Sequence, residues 1–477
     1  MRVARRLFDL ESHKQFASVS RDFNPVHMDP IAARRTQVGR PIIHGVHSLL
    51  WLLDSIENSG LRVPGEVELS VRFASPIFLD EDVALEFSSP MPSEVRGRIC
   101  VGGHEAVVAS LRPCHSGVAA LARVPARRPI DLLSVPRDVR LEDIRSQHGT
   151  IDYGGTVGGV ADMFPSAART LGASRIACLA CLSYLVGMVV PGQHSLFSGI
   201  HVFLAPTDGE EAQALQFEVT SVATRFRSVQ MSVRAPGIAG TVDAVSRMPP
   251  VSQPSMAHVL SRFGHTEFSS SRALIIGGSR GLGEVTAKLV AAGGADVAVT
   301  YASGRTDANS VAAEINAAGL RCNPIPFDVG KPAEDQLRCL QRPPTHIYYF
   351  ATPFIGQRKA ALFDTQRLAE LTFYYCTAFL RAIEACQRIN PGGIRVFYPS
   401  SVYVESRPAG MTEYAMAKAA AEVLCSDISR GLVGVEVFMR RLPRMLTDQT
   451  NSAGPARLSD PIEVMLPIVR EMHLDAT

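Results

Sequence analysis

Several things this chain lacks narrow its role. It has no charge excess: over 477 residues the formal net charge is +2, which argues against a dedicated nucleic-acid binder, since such proteins need a basic field. It has no long apolar run. The best stretch, residues 177–190, is broken by small and polar residues and falls short of the ~18 needed to cross a bilayer. No secretory leader is visible, because Asp9, Glu11, His13 and Lys14 stand where an apolar core would follow Arg5 and Arg6. Nine cysteines are scattered without framework spacing. Cys178-Leu-Ala-Cys181 has the spacing of a metal or redox pair, but it lies in an apolar helical run with no second pair nearby, so core packing is the expected reading. A soluble cytoplasmic protein is expected, with neither nucleic acid nor membrane as partner. Hydrophobic residues make up 46% and charged residues 20% of the chain, which is enough apolar material for several cores. At roughly 100–200 residues per domain, about three domains are expected.

Two stretches interrupt the periodic patterns. Residues 126–147 are proline-broken and charge-rich, and residues 249–270 are rich in Pro and Ser; both read as linkers. They separate pieces 1–125, 148–248 and 271–477. The first two pieces resemble each other. Val63-Pro64-Gly65 recurs as Val190-Pro191-Gly192, Phe73-Ala-Ser-Pro76 as Phe203-Leu-Ala-Pro206, and Ala84-Leu-Glu-Phe87 as Ala214-Leu-Gln-Phe217. Matches in the same order suggest a duplicated fold. Each copy places an apolar helical run before alternating strands such as Glu66 to Phe73 and Gln216 to Val222, an α+β pattern. The third piece instead alternates strand and helix: Ala273 to Ile276, Glu284 to Ala292, Asp296 to Tyr301, Ala308 to Ala318. That order implies a doubly wound parallel sheet.

Residues 22–29 read Asp22-Phe-Asn24-Pro-Val-His27-Met-Asp29. The loop resembles the signature of MaoC-like (R)-specific enoyl hydratases and dehydratases. Gly39, Ile43-His44-Gly45 and the run VRFASPIF at 71–78 continue the likeness over about 100 residues. The resemblance implies a double hotdog fold acting on acyl thioesters, adding water to or removing it from the C2–C3 bond. Asp22 and His27 are then the two proton carriers, one for the C3 oxygen and one for the C2 proton. Asn24 holds neighbouring acceptors, and Gly45 offers a backbone N–H at a helix N-terminus to the thioester oxygen. The family usually has Gly before the Asp, and Arg21 stands there in this chain, either altering the loop or contacting a phosphate. The second copy retains Asp162 and Pro165 but has no matching Asn or His, so it is expected to shape the acyl pocket without chemistry of its own.

Gly277-Gly-Ser279-Arg280-Gly281-Leu-Gly283 follows a strand and opens a helix, a setting that rests a dinucleotide pyrophosphate on helix N–H groups. With Ser401, Tyr414 and Lys418 it resembles short-chain dehydrogenases/reductases of the 3-oxoacyl-carrier-protein reductase type. Tyr414 and Lys418 share a helix face at i and i+4. A free phenol titrates at about 10, and a nearby ammonium is expected to lower that value. The resemblance then implies that Tyr414 protonates the carbonyl oxygen, Ser401 holds it and Lys418 grips the ribose. No acid follows the second strand, whereas Ser303, Arg305 and Arg280 suit a 2′-phosphate, so NADP(H) is the expected cofactor. Asp328 and Val329 match the adenine contact, and Pro443 and Thr447 the loop over the nicotinamide. The chain differs at Ile276, at Phe350-Ala-Thr-Pro353, in having no Asn between Leu368 and Cys376, and in the absence of a last strand after Met472.

These readings give a multidomain fold, an α+β double hotdog followed by an α/β Rossmann domain, with no metal called for. The expected function is bifunctional: NADPH-dependent reduction of 3-oxoacyl thioesters to (R)-3-hydroxyacyl thioesters, then dehydration to trans-2-enoyl thioesters, in a fatty-acid or polyketide type of biosynthesis. The alternative is a dehydratase/hydratase whose reductase-like domain only binds nucleotide or has a structural role. The expected substrate is an acyl thioester on an acyl carrier protein or coenzyme A, and the expected assembly is a homodimer.

Overall fold

The computed structural model describes residues 2–60, 66–91, 94–114, 128–206, 213–262, 267–356, 363–451 and 458–474. The chain forms two compact units, Met1–Pro249 and Pro250–Thr477. The first two pieces read from the sequence therefore build a single unit.

That unit is one ten-stranded sheet. Its strands are β1 (Arg2–Leu7), β2 (Val67–Phe73), β3 (Asp82–Met91), β4 (Glu94–Val101), β5 (His104–Pro113), β6 (His148–Asp152), β7 (Ser195–Leu204), β8 (Ala214–Ala223), β9 (Ser228–Ala235) and β10 (Ile238–Ser246). The order is β1-β3-β4-β5-β2-β7-β10-β9-β8-β6. The two copies each supply five strands and meet where β2 pairs antiparallel with β7, Leu69 opposite Val202. The matched tetrapeptides at 84–87 and 214–217 lie on β3 and β8, which hold equivalent places in the two halves. Val63-Pro64-Gly65 lies outside the described residues. Alternation puts Leu69, Leu85, Ile99 and Leu111 on the covered face with the helix Gly45–Asn58, and Val202, Met231 and Val233 there with the helix Ala173–Tyr184. Each such side chain adds about 1.5–3 kcal/mol when fully buried.

The second unit is a parallel six-stranded sheet of β11 (Arg272–Ile276), β12 (Asp296–Tyr301), β13 (Cys322–Pro326), β14 (His346–Tyr349), β15 (Ile394–Ser401) and β16 (Val435–Leu442), in the order β13-β12-β11-β14-β15-β16. Helices such as Gly281–Ala292, Arg305–Ala317 and Thr412–Gly431 form the crossovers. The order reverses between β11 and β14, the crevice where doubly wound sheets bind ligands. Among the described residues the sheet has no seventh strand.

The two stretches read as linkers are tied to the folded units. Leu133 N donates to Tyr184 Oη at 2.7 Å and Arg137 N to the Met188 carbonyl at 2.9 Å. In the other stretch, Ser255 caps the short helix Met256–Leu260. The buried Lys288 donates to the Pro254 carbonyl at 3.0 Å while pairing with Glu284 at 2.8 Å and Glu314 at 2.7 Å. A buried ammonium needs such partners, and they hold the segment against the second unit. Cys178 and Cys181 are buried in the core of the first unit, and burial pushes the Cys178 thiol up to about 12.

Candidate active sites

The helix Leu10–Ser20 ends at Arg21, whose backbone takes the left-handed conformation, φ 61°. That conformation suits the glycine of the resembling family, and here Arg21 adopts it, so the loop keeps its shape. The guanidinium reaches the Asp152 carbonyl, 3.4 Å away. The sharp reversal delivers Asp22 and Asn24 into the interior, 1% and 0% exposed. Asn24 caps the turn Pro25–Met28 by accepting from Val26 N at 3.0 Å. Its Nδ2 donates to the Gly187 and Gly192 carbonyls at 2.7 and 3.1 Å. Asn24 thus joins the loop of residues 22–27 to the second half.

His27 follows on that turn. Its Nδ1 lies 2.7 Å from the Ile42 carbonyl. A carbonyl only accepts, so Nδ1 carries the proton and Nε2 keeps its lone pair in the neutral ring. The ring stacks on His44 at 3.9 Å. Burial, with His13 and Arg247 adding, lowers the His27 pKa to about 3 against the Ile42 hydrogen bond, so the imidazole is neutral at ordinary pH. Asp22 moves the other way. Burial raises it to about 7, opposed by hydrogen bonds from Ser183 and the Asn24 backbone. Two titratable groups pushed in opposite directions by one apolar pocket suit an acid–base pair.

Two residues of this site, both in the second half, carry no signal in the sequence. Ser183 Oγ donates to Asp22 Oδ2 at 2.7 Å. One turn on, a Cβ on Gly187 would run into both Asp22 carboxyl oxygens. Ser183 and Gly187 sit four apart on the helix that continues as a π-turn, Leu185–Val189, a distortion common at functional sites. The SYLVG run alone carries no signature; only its alignment with the first copy's helix would have pointed to it. Asp162, the second copy's counterpart of Asp22, is exposed and outside any such pocket. Gly45 opens its helix against the Phe73 ring with no side-chain cap from His44, so the first N–H groups there can face a ligand. Ligand atoms of Asp22, His27 and His44 lie within 4.8 Å of one another. His44 Nε2 is 3.0 Å from the Asp22 carbonyl, a bond it makes as N–H donor, which leaves the lone pair of the neutral ring on the buried Nδ1.

In the second unit Gly277 and Gly281 adopt φ 80° and 57°, and a Cβ on Gly283 would run into the Gly277 carbonyl. Arg280 precedes the helix Gly281–Ala292 without capping it. The result is a bare turn of N–H groups on a close-packed glycine cradle, which fits a dinucleotide pyrophosphate. Ser279 is buried in this turn, and Asp328 and Val329 follow β13. Arg280 pairs with Asp448 at 3.4 Å. Thr447 approaches Gly281, its Cγ2 3.8 Å from where a Cβ would be, and Pro443 begins that loop. Ser303 and Arg305 are exposed past the end of β12.

Ser401 is the last residue of β15, and Tyr414 on the helix Thr412–Gly431 hydrogen-bonds to it, with Lys418 one turn on. The expected lowering of the Tyr414 phenol does not occur. Burial raises it to about 12, opposed by the hydrogen bond with Ser401. The ammonium is engaged elsewhere: Lys418 Nζ donates to the Pro399 carbonyl at 2.6 Å and sits 3.9 Å over the Tyr375 ring, 6.0 Å from the Tyr414 ring. Burial lowers Lys418 to about 7. Where the resembling family's Asn was sought, a π-turn, Phe373–Thr377, presents Tyr375 to Lys418, its hydroxyl 2.7 Å from Thr352 Oγ1.

Fold and site thus define two enzyme-type units. Residues 5–106 match the family described as MaoC like domain, and residues 271–339 match short chain dehydrogenase. The chain is a fusion of a MaoC-like dehydratase domain and a short-chain dehydrogenase domain. Among its relatives is the (R)-specific enoyl-CoA hydratase of Aeromonas caviae, 38% identical over 77 residues, 15% of this chain and 54% of that protein. The chain thus spans about half that relative's length. The NADPH-dependent aldehyde reductase-like protein, chloroplastic, of Arabidopsis thaliana is 28% identical over 183 residues, 35% of this chain and 68% of that protein. A short chain dehydrogenase from Burkholderia cenocepacia, solved in complex with NADP, is 24% identical at a TM-score of 0.39, covering 43% of this chain and 92% of that one. Among the described residues no single helix is long and apolar enough to cross a membrane.

Proposed function

We propose that the protein reduces 3-oxoacyl thioesters with NADPH and dehydrates the resulting (R)-3-hydroxyacyl thioesters to trans-2-enoyl thioesters, carried on coenzyme A or an acyl carrier protein. The observation that carries the reading is the buried Asp22–His27 pair with opposed pKa directions. In dehydration, His27 Nε2 takes the C2 proton. The C2–H electrons form the C2=C3 bond as the C3–O bond breaks. Neutral Asp22 protonates the departing hydroxyl, releasing water. The thioester oxygen meets the Gly45 N–H while it bears negative charge. Hydration reverses each step. In the second unit, NADPH supplies the hydride for the C3 carbonyl carbon. Residues 277–283 would hold its pyrophosphate, Asp328 and Val329 its adenine, Ser303 and Arg305 its 2′-phosphate, Lys418 its ribose. Ser401 orients the carbonyl oxygen, Tyr414 protonates it, and Pro443 and Thr447 close the site from water.

The test incubates the purified chain with NADPH and a panel of 3-oxoacyl and 3-hydroxyacyl thioesters and identifies products by mass. NADPH-dependent conversion of a 3-oxoacyl thioester to the enoyl product is expected. Lys418, bonded to Pro399 and covered by Tyr375, together with the raised Tyr414, favours a second reading, in which only the dehydratase turns over. Enoyl product from 3-hydroxyacyl thioesters without NADPH oxidation by any 3-oxoacyl substrate would select it.

A further inference from the structure

We propose that Arg247, in the second half of the first unit, is a positioning residue for the dehydratase site, acting on the catalytic loop through the turn 192–195. The proposal rests on the Asp22–His27 reading above. Arg247 directly follows β10 and is 4% exposed. Its Nη2 donates to the Gln193 carbonyl at 3.0 Å and its Nε to the Ser195 carbonyl at 3.2 Å. Its Nη1 is buried without a partner. Among the described residues it forms no ion pair. A buried guanidinium with no carboxylate is costly, and an apolar side chain of similar volume would serve packing better. Its position explains its presence. The Gln193 carbonyl that it binds also receives Asn24 Nδ2 at 3.5 Å, and Asn24 bonds the neighbouring Gly192 carbonyl at 3.1 Å. Arg247 grips the turn from one side and Asn24 from the other, so the fork fixes where the second half holds the loop of Asp22 and His27.

The same cation lies near His27. The charged and titratable groups facing that imidazole are His13, whose Nε2 is 3.0 Å from the His27 carbonyl, His44 stacked on it, Asp22, and Arg247. His13 and His44 are held neutral by burial. Arg247 is therefore the one permanent positive charge in the group; burial and His13 hold the ring's pKa down more strongly, and Arg247 adds in the same direction.

The experiment compares Arg247→Met, which keeps volume and loses charge, with Arg247→Lys, which keeps charge and loses the fork. The readout is the His27 titration by NMR in the full-length chain, assigned by its loss in His27→Gln. In Arg247→Met, His27 is expected to titrate closer to an ordinary histidine, and in Arg247→Lys it stays near wild type. Dehydration falls about tenfold or more in both, as expected when a catalytic loop is misplaced. Dehydration at the wild-type rate in either variant, or an unmoved His27 in Arg247→Met, would overturn the proposal. If wild-type protein turns over no thioester, the function reading fails, while the titration still decides the electrostatic role of Arg247.

Discussion

At the residue scale, one apolar pocket acts oppositely on two kinds of group. Removing water penalises whichever form is charged, so Asp22 is held neutral up to about 7 and His27 neutral down to about 3. Asp22→Asn and His27→Ala should each lower hydration and dehydration by roughly 10²–10⁴-fold, while NADPH binding to the second unit, followed by fluorescence, stays unchanged. The pH dependence follows with its sign. In the proposed mechanism dehydration needs protonated Asp22, so its rate should fall as pH rises through about 7. Stability follows the same linkage: a folded-state pKa above the unfolded value favours the fold at low pH and loses that contribution as pH rises through 7. Asp22→Asn should therefore raise the melting temperature at pH 8 and leave it nearly unchanged at pH 3, a difference differential scanning calorimetry would reveal. In the second unit, Tyr414→Phe should abolish NADPH-dependent reduction without weakening NADPH binding, because Lys418 and the glycine cradle remain. Arg305→Ala should weaken NADPH about tenfold or more and leave NADH unchanged, since a charge-assisted hydrogen bond adds about 1.5–3 kcal/mol. Equal losses for the two cofactors in a titration would contradict that role.

At the element scale, the helix Ala173–Tyr184 and its π-turn pack against Asp22 of the other half. Ser183→Ala removes the donor that favours ionised Asp22. The pH at which dehydration falls should then move upward, with a loss of about tenfold in rate from poorer carboxyl placement. Gly187→Ala should be worse, because its methyl would occupy the carboxyl's space. The turn at Arg21 makes a milder test. A non-glycine residue at φ 61° is strained, so Arg21→Gly should retain activity and gain up to about 1 kcal/mol in urea unfolding.

For the molecule as a whole, the proposed dehydratase site draws residues from both halves of the ten-stranded sheet. Residues 1–249 expressed alone should fold and dehydrate (R)-3-hydroxyacyl thioesters, because every residue bonded to Asp22 lies within that unit. Residues 1–147 should not, since β2 would lose β7 and Asp22 would lose Ser183. Circular dichroism and a turnover assay on the two fragments would decide.

What local chemistry encodes was legible along the chain. Asp22, Asn24 and His27 stand within six residues, and Gly277 to Gly283 within seven, because a single turn must present them together. Strand alternation and strand–helix order separated the antiparallel unit from the parallel one, since each sheet demands its own periodicity. What burial and long-range pairing control emerged only from the folded chain. Ser183, Gly187 and Arg247 lie 160 residues or more from Asp22 in the chain and reach the site only because β2 pairs with β7. The Tyr414 phenol rises where the sequence implied a fall, because desolvation outweighs an ammonium that is already bound to Pro399. A side chain's charge state depends on how much water surrounds it, and that is set only once both sheets have closed over their helices.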